Sequence, residues 1–372
     1  MNKHTLLFSS FLIGSSIILG ACCQPDKINI RENSPTESIT SAIMNSNDDI
    51  QISEGDWENY LYTPTQIIKA LGYYFIQDCW NGRILYSSSL SNNLSDWNTL
   101  TDDFKGGHSL ATDGRVIIAD NSNNDQVYVY MYDHEKNIFV NSQIISVENR
   151  PHYVLYDEKS GLFYVLSSYS GIITELKVNE TGEVSIVDTI HLDEPIEYAR
   201  SMSVIDDYLY IPDASGTIYK IDYLHNFETS DMFKVSDNIG GMNYLCKIDN
   251  YYYLSVYTGK DFDMNYSSRL IRSTSIENIS DGRYEDITNL FGFSGTPYFI
   301  SSFDNKYFIT EIDNANSICS FETDGSSITN ISYLFRYDTV ILITNKTVDK
   351  KSSHNPYMQD YARFFVQFLI GS

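Results

Sequence analysis

The sequence predicts an all-β chain, a six-bladed β-propeller carried behind an export signal and a tether. Three observations carry that expectation. Aromatic and β-branched residues dominate, with 30 Tyr and 19 Phe, a composition that suits pleated, half-buried surfaces better than helices. From Trp57 onward the chain reads as short apolar runs separated by Asn, Asp and Gly turns, without a sustained helical period. One pattern also recurs six times: an anchor residue, a short apolar strand, an acidic or glycine turn, a second strand, another turn and a third strand.

The six anchors are Thr65, His108, His152, Arg200, Met242 and Pro297, at intervals of 43, 44, 48, 42 and 55 residues. A repeat of roughly 40–50 residues with several strands per unit fits a propeller blade. A single blade leaves both faces unburied, and a closed ring solves this by packing each blade on two neighbours. A β-sandwich would explain the alternation of the strands but not their spacing. The longest interval accommodates an insertion near Lys260 to Ser268 and an excursion near Asn278 to Phe293.

The ends of the chain differ in texture. Residues 1–21 carry Lys3 and then an apolar run from Leu6 to Leu19, which is too short for a stable membrane span and suits a secretory signal. The run ends in Leu19-Gly20-Ala21-Cys22. This resembles the lipobox of bacterial lipoproteins, and the resemblance implies acylation of Cys22 and a place on the outer face of the cell membrane. Two or three acyl chains, at about 0.8 kcal/mol per buried CH₂, would hold the protein at the bilayer surface. Residues 22–55 are rich in Ser, Asn, Asp, Thr and Glu and read as a flexible tether. The propeller is expected over 56–336 and a tail over 337–372, in which Asn355 to Ile370 shows an i, i+3/i+4 apolar stripe that predicts one short amphipathic helix.

With 25 Lys+Arg against 49 Asp+Glu, the formal net charge is −24. That field repels nucleic acid and anionic lipid, which leaves the acyl anchor as the expected membrane contact. The chain is expected to act as a monomer. With Cys22 set aside, Cys23, Cys79, Cys246 and Cys319 are widely spaced without a C-x-x-C pair, so buried free thiols are expected rather than a zinc site.

The stretch Val116 to Asn121 followed by Asn124 to Val129 resembles an NHL repeat, a strand, an Asp, an Asn-containing turn and a second strand. Asp78 to Leu85 is similar. Asp213 and Glu311 keep the acid, whereas the third unit has Ser167 and Ser168 in its place. The resemblance implies a propeller over residues 57 to 336. It does not select a function, because NHL propellers include binding modules, hydrolases and lyases. Tyr86 to Leu90 followed by Leu94 to Trp97 resembles the outer strands of sugar-cleaving propellers, with a weaker echo at Arg272 to Ile276. The Asp-Pro and Glu-Gly-Pro contexts of those enzymes are lacking, so Trp97 is expected to pack between blades rather than to stack on a sugar.

In a blade the anchor opens the innermost strand, and the acid closes the antiparallel strand beside it. Anchors and acids should therefore gather on one face of the ring. The candidate site is His108, His152 and Arg200 at the channel mouth, with Asp78, Asp120, Asp213 and Glu311 set further out. Such a set suits binding of a glycan or another small polar ligand, with Arg200 forking onto a carboxylate. The same residues could serve a hydrolase or lyase, and an acidic rim could serve a protein scaffold. A metal at the mouth is not expected, since Arg200 stands where a third ligand would be needed. Calcium held by acids and carbonyls stays open, without an EF-hand-like loop to support it, and no nucleotide or cofactor motif occurs.

Overall fold

The computed structural model describes residues 60–235, 239–257, 268–313 and 316–337. The expected signal, tether and C-terminal amphipathic helix at 355–370 lie outside these residues. Twenty-four strands form six four-stranded antiparallel sheets, each built from four consecutive strands. These are the blades of a six-bladed β-propeller. Their innermost strands are β1 (Pro64–Ala70), β5 (Leu110–Thr112), β9 (Pro151–Asp157), β13 (Ser203–Ile205), β17 (Met242–Ile248) and β21 (Thr296–Phe303). Every predicted anchor lies inside one of these strands or two to three residues before it.

The core sits between the blades, and strand alternation explains how one strand serves two interfaces. In β6 (Val116–Asn121), Ile117 and Ala119 join Phe75 and Ile84 of blade 1, while Val116 and Ile118 join Val154, Phe163 and Val165 of blade 3. Successive side chains point to opposite faces, so a strand buried on both sides reads as a continuous apolar run rather than as an alternation. Six such clusters fill the six joints between blades.

Among the described residues no strand is exchanged between the first and last blades. The joint between them is closed mainly by side-chain packing. Phe308, Ile318 and Phe335 of blade 6 pack on Ile67, Ile76, Leu85 and Trp97 of blade 1. Trp97 is buried against Phe335, and its Nε1 donates to the Ser91 carbonyl at 2.9 Å. The expected excursion in blade 5 contains two short helices, α1 (Ile276–Ser280) and α2 (Thr288–Phe291), on either side of the two-residue β20 (Glu285–Asp286), and the insertion expected near Lys260 to Ser268 lies outside the described residues except for Ser268. Among the described residues Cys79, Cys246 and Cys319 are free thiols, two of them fully buried.

Candidate functional site

The inner strands of four blades carry an irregularity at the same height, and it shapes the mouth. In blade 1 Pro64 pairs with Asp78 and Gln66 with Gln77, which leaves Thr65 extra. By the same count His152 is extra in blade 3 and Asn243 in blade 5, and Tyr298 and Phe299 are displaced in blade 6. A bulge re-aims its side chain and ends regular pairing. These five residues all line one small cavity of about 10 Å³ on the channel axis, together with His108 and Arg200. That is room for about one water molecule.

His108 reaches the mouth by a different route. It precedes β5 and is held by its own backbone, whose N–H donates to Asp120 at 3.1 Å. Gly107 before it has no room for a side chain, since a Cβ would come within 2.5 Å of both the Asp120 carbonyl oxygen and the Phe104 ring. The close approach required at this position admits only glycine.

The three predicted mouth residues come together. The imidazoles of His108 and His152 stack with 3.8 Å between centroids and 12° between planes. His152 Nδ1 lies 2.9 Å from the Arg200 carbonyl oxygen; a carbonyl only accepts, so Nδ1 carries the proton and Nε2 the lone pair. The Arg200 guanidinium donates to Asn243 Oδ1 at 3.1 Å and lies on the faces of Tyr257 and Tyr198, at 4.1 and 5.2 Å from their centroids. Burial drives both histidines toward their neutral forms, His152 down to about 3 and His108 well below the usual imidazole range, with Arg200 and Arg150 adding to the effect.

Neutral stacked rings present their lone pairs in nearly parallel planes, so the pair cannot converge on one metal ion. Among the described residues no three His, Cys, Asp or Glu side chains form a metal-binding group. Cys79 Sγ lies 3.8 Å from His108 Nε2. Burial pushes that thiol well up while it pushes the imidazole down, the opposite of what a thiolate–imidazolium pair needs.

The four acids each close their own blade. Asp78 accepts from the Tyr62 and Thr63 amides and from Asn81 and Arg83. Asp120 accepts from the Ser109 amide and from the Ser109 and Ser122 hydroxyls; burial pushes its carboxyl up to about 7 against those bonds. Asp213 holds Glu197, Ser215 and Thr217, and Glu311 holds Ser294, Gly295 and Ser317. Each carboxylate ties the loop entering its blade to the turn beyond the second strand. In blade 3 two serines replace the acid and reverse the polarity of the bonds, donating to the carbonyls of Glu148 and Arg150.

Several residues at the mouth had no sequence signal. Trp80 meets the His108 ring edge-on at 6.5 Å, and Tyr198 meets His152 in the same way at 6.0 Å. The Arg150 guanidinium lies over Tyr169 at 5.2 Å and is close enough to both histidines to oppose their protonation. No carboxylate lies within ion-pair distance of the Arg150 side chain among the described residues, although its backbone N–H donates to Asp125. The mouth is thus a guanidinium-rich, aromatic patch in a chain of net charge −24.

No protein-family model matches the chain, and no curated protein matches it in sequence. Solved structures do match in fold. A putative 6-phosphogluconolactonase from Bacteroides fragilis aligns with a TM-score of 0.52 at 12% identity, covering 74% of this chain and 85% of that one. A second putative 6-phosphogluconolactonase, from Bacteroides uniformis, aligns with a TM-score of 0.53 at 9% identity, covering 74% and 86%. At such identities the likeness is one of architecture alone, that of a β-propeller.

Proposed function

We propose that this chain is a lipid-anchored, extracytoplasmic propeller that binds a glycan or another small polar ligand at the channel mouth, taking an anionic group on Arg150 and Arg200. The observation that carries the reading is the pair of guanidiniums held on tyrosine faces beside two neutral histidines. Aromatic faces pre-organise the cations and offer platforms to a sugar ring. Guanidinium forks favour carboxylate geometry, and His152 Nε2 adds an acceptor for a ligand hydroxyl. Delivery to the outer face of the membrane rests on the Cys22 signal and suits a ligand met outside the cell.

The hydrolase or lyase reading has weaker support. A base with a pKa of about 3 is far from the range that favours general catalysis near neutrality, and the four acids are occupied in closing blades.

Thermal unfolding of the full chain with galacturonate, glucuronate and their neutral parent sugars tests the proposal. A uronic acid should raise the melting temperature more than its parent sugar. Arg150→Ala, at a partly exposed position, should weaken the effect about tenfold, the loss expected for one charge-assisted contact. No stabilisation by any of these sugars, or the same stabilisation in Arg150→Ala, overturns the reading.

A further inference from the structure

At the opposite end of the channel the ring opens into a cavity of about 910 Å³, lined by all six innermost strands. The rings of Tyr153, Tyr244 and Phe299 lie between it and the mouth and line both cavities. They are 4.3–6.2 Å apart between centroids, so they plug the channel and make its two ends separate sites.

The electrostatics of this funnel oppose those of the mouth. Its two lysines are each neutralised, Lys69 by Asp304 and Lys247 by Asp206. Asp157 accepts from the Ser160 amide at 2.7 Å. Glu158 and Asp249, exposed on the inner hairpin turns, have no cationic partner among the described residues. Low-dielectric walls around an excess of carboxylate focus a negative potential. The floor is aromatic, and Phe303 and Tyr307 extend that surface up the wall. A further polar group is left over within it: Ser203 lines the cavity, is 5% exposed, and its buried hydroxyl has no hydrogen-bond partner. Such a group carries a cost that a bound donor would relieve.

We infer that this funnel is a second binding site, for an organic cation with an aromatic or apolar body. The body seats on the Tyr153, Tyr244 and Phe299 floor, where ring faces attract positive charge. The ammonium group is held by Glu158 and Asp249, and Ser203 Oγ accepts an N–H. The volume falls within the range of small-molecule sites. This site does not depend on the ligand assigned to the mouth.

The probe is phenethylamine, with 2-phenylethanol as its uncharged analogue, each titrated against the full chain by saturation-transfer NMR and calorimetry. The amine should bind saturably and about tenfold more tightly than the alcohol, and the difference should shrink as salt is raised. The paired change Glu158→Gln and Asp249→Asn lies on exposed turns, and Asn tolerates the positive φ of 52° at position 249. It should remove most of the amine's advantage while leaving 2-phenylethanol unchanged. Arg150→Ala should leave phenethylamine binding intact even if it abolishes sugar binding. Equal binding of amine and alcohol, no saturable binding of the amine, or amine binding indifferent to the paired change overturns the inference.

Discussion

The imidazoles of His108 and His152 stack 3.8 Å apart although they come from different blades, and the hydrogen bond from His152 to the Arg200 carbonyl extends the link to a third. This contact bears on stability because it holds only while both rings are neutral. Two imidazoliums at that distance beside Arg200 would repel strongly.

The pH dependence follows from that constraint. The folded-state pKa of His152 is depressed to about 3, whereas its unfolded value is near 6.5. Its contribution is therefore complete above pH 6.5 and is lost as pH falls from 6.5 toward 3, at up to about 1.4 kcal/mol per pH unit. His108 acts in the same direction. Asp120 acts in the other, since its raised carboxyl favours the folded state at lower pH across the interval from 3.8 to 7. The clean measurement is a difference: urea unfolding of the parent and of His152→Asn from pH 4 to 7. Asn can still donate to the Arg200 carbonyl without titrating. The slope of stability against pH should drop by close to one proton in the variant, and equal slopes would show that His152 titrates normally.

How much of this was legible in sequence depends on what sets each feature. The second strands could be read because burial on two faces makes them short apolar runs, as at Val116–Ala119 in β6, and because a ring of blades repeats them at near-constant spacing. The outermost strands could not be read with the same security. β12 (Val184–His191) exposes most of its length, including Ile186 and Val187, and without a buried face there is no constraint to enforce an alternation. The mouth was legible in part. His108, His152 and Arg200 follow from the anchor positions, but the bulges that aim Thr65 and Asn243 into the channel depend on cross-strand register. Arg150 escaped notice because it lies on a connecting turn and its partner Tyr169 is nineteen residues away in sequence.

Asp120 is expected to be worth more as a clasp than as a charge. It accepts from two amides and two hydroxyls while fully buried, and removing it takes the acceptor from the two amides and the Ser109 hydroxyl, while Ser122 keeps the Pro151 carbonyl. Asp120→Ala should lower unfolding stability by roughly 3 kcal/mol, in the range for breaking a buried, charge-bearing network. Asp120→Asn keeps the shape and part of the bonding and should cost less. Both changes should also disturb His108, whose backbone Asp120 holds, so its imidazole NMR shifts should move. Unchanged stability in Asp120→Ala would mean that the blade closes without this carboxylate.

The joint between blades 6 and 1 should be where the ring yields first, because among the described residues no exchanged strand bridges it. Three kinds of contact hold it, and they should differ sharply in weight. The ion pair of Lys69 with Asp304, joined by the Tyr74 hydroxyl at 2.7 Å, is more than one-third exposed on both sides, so solvent screens it and it contributes little. Trp97 is 7% exposed and fills the space between Leu85 and Phe335, so Trp97→Ala should cost roughly 3–5 kcal/mol through lost burial and a residual cavity. Buried hydrogen bonds remain on the inner side of the joint, where Thr310 Oγ1 donates to the Thr65 carbonyl at 3.1 Å. In Trp97→Ala the seam should open locally before the molecule unfolds. Amide exchange should accelerate first in β1 and in β22 (Lys306–Ile312), while the strands of blades 3 and 4 keep their protection. In Asp304→Ala the exchange pattern should hardly change. Uniform acceleration around the ring in Trp97→Ala would show instead that the six joints open as one cooperative unit.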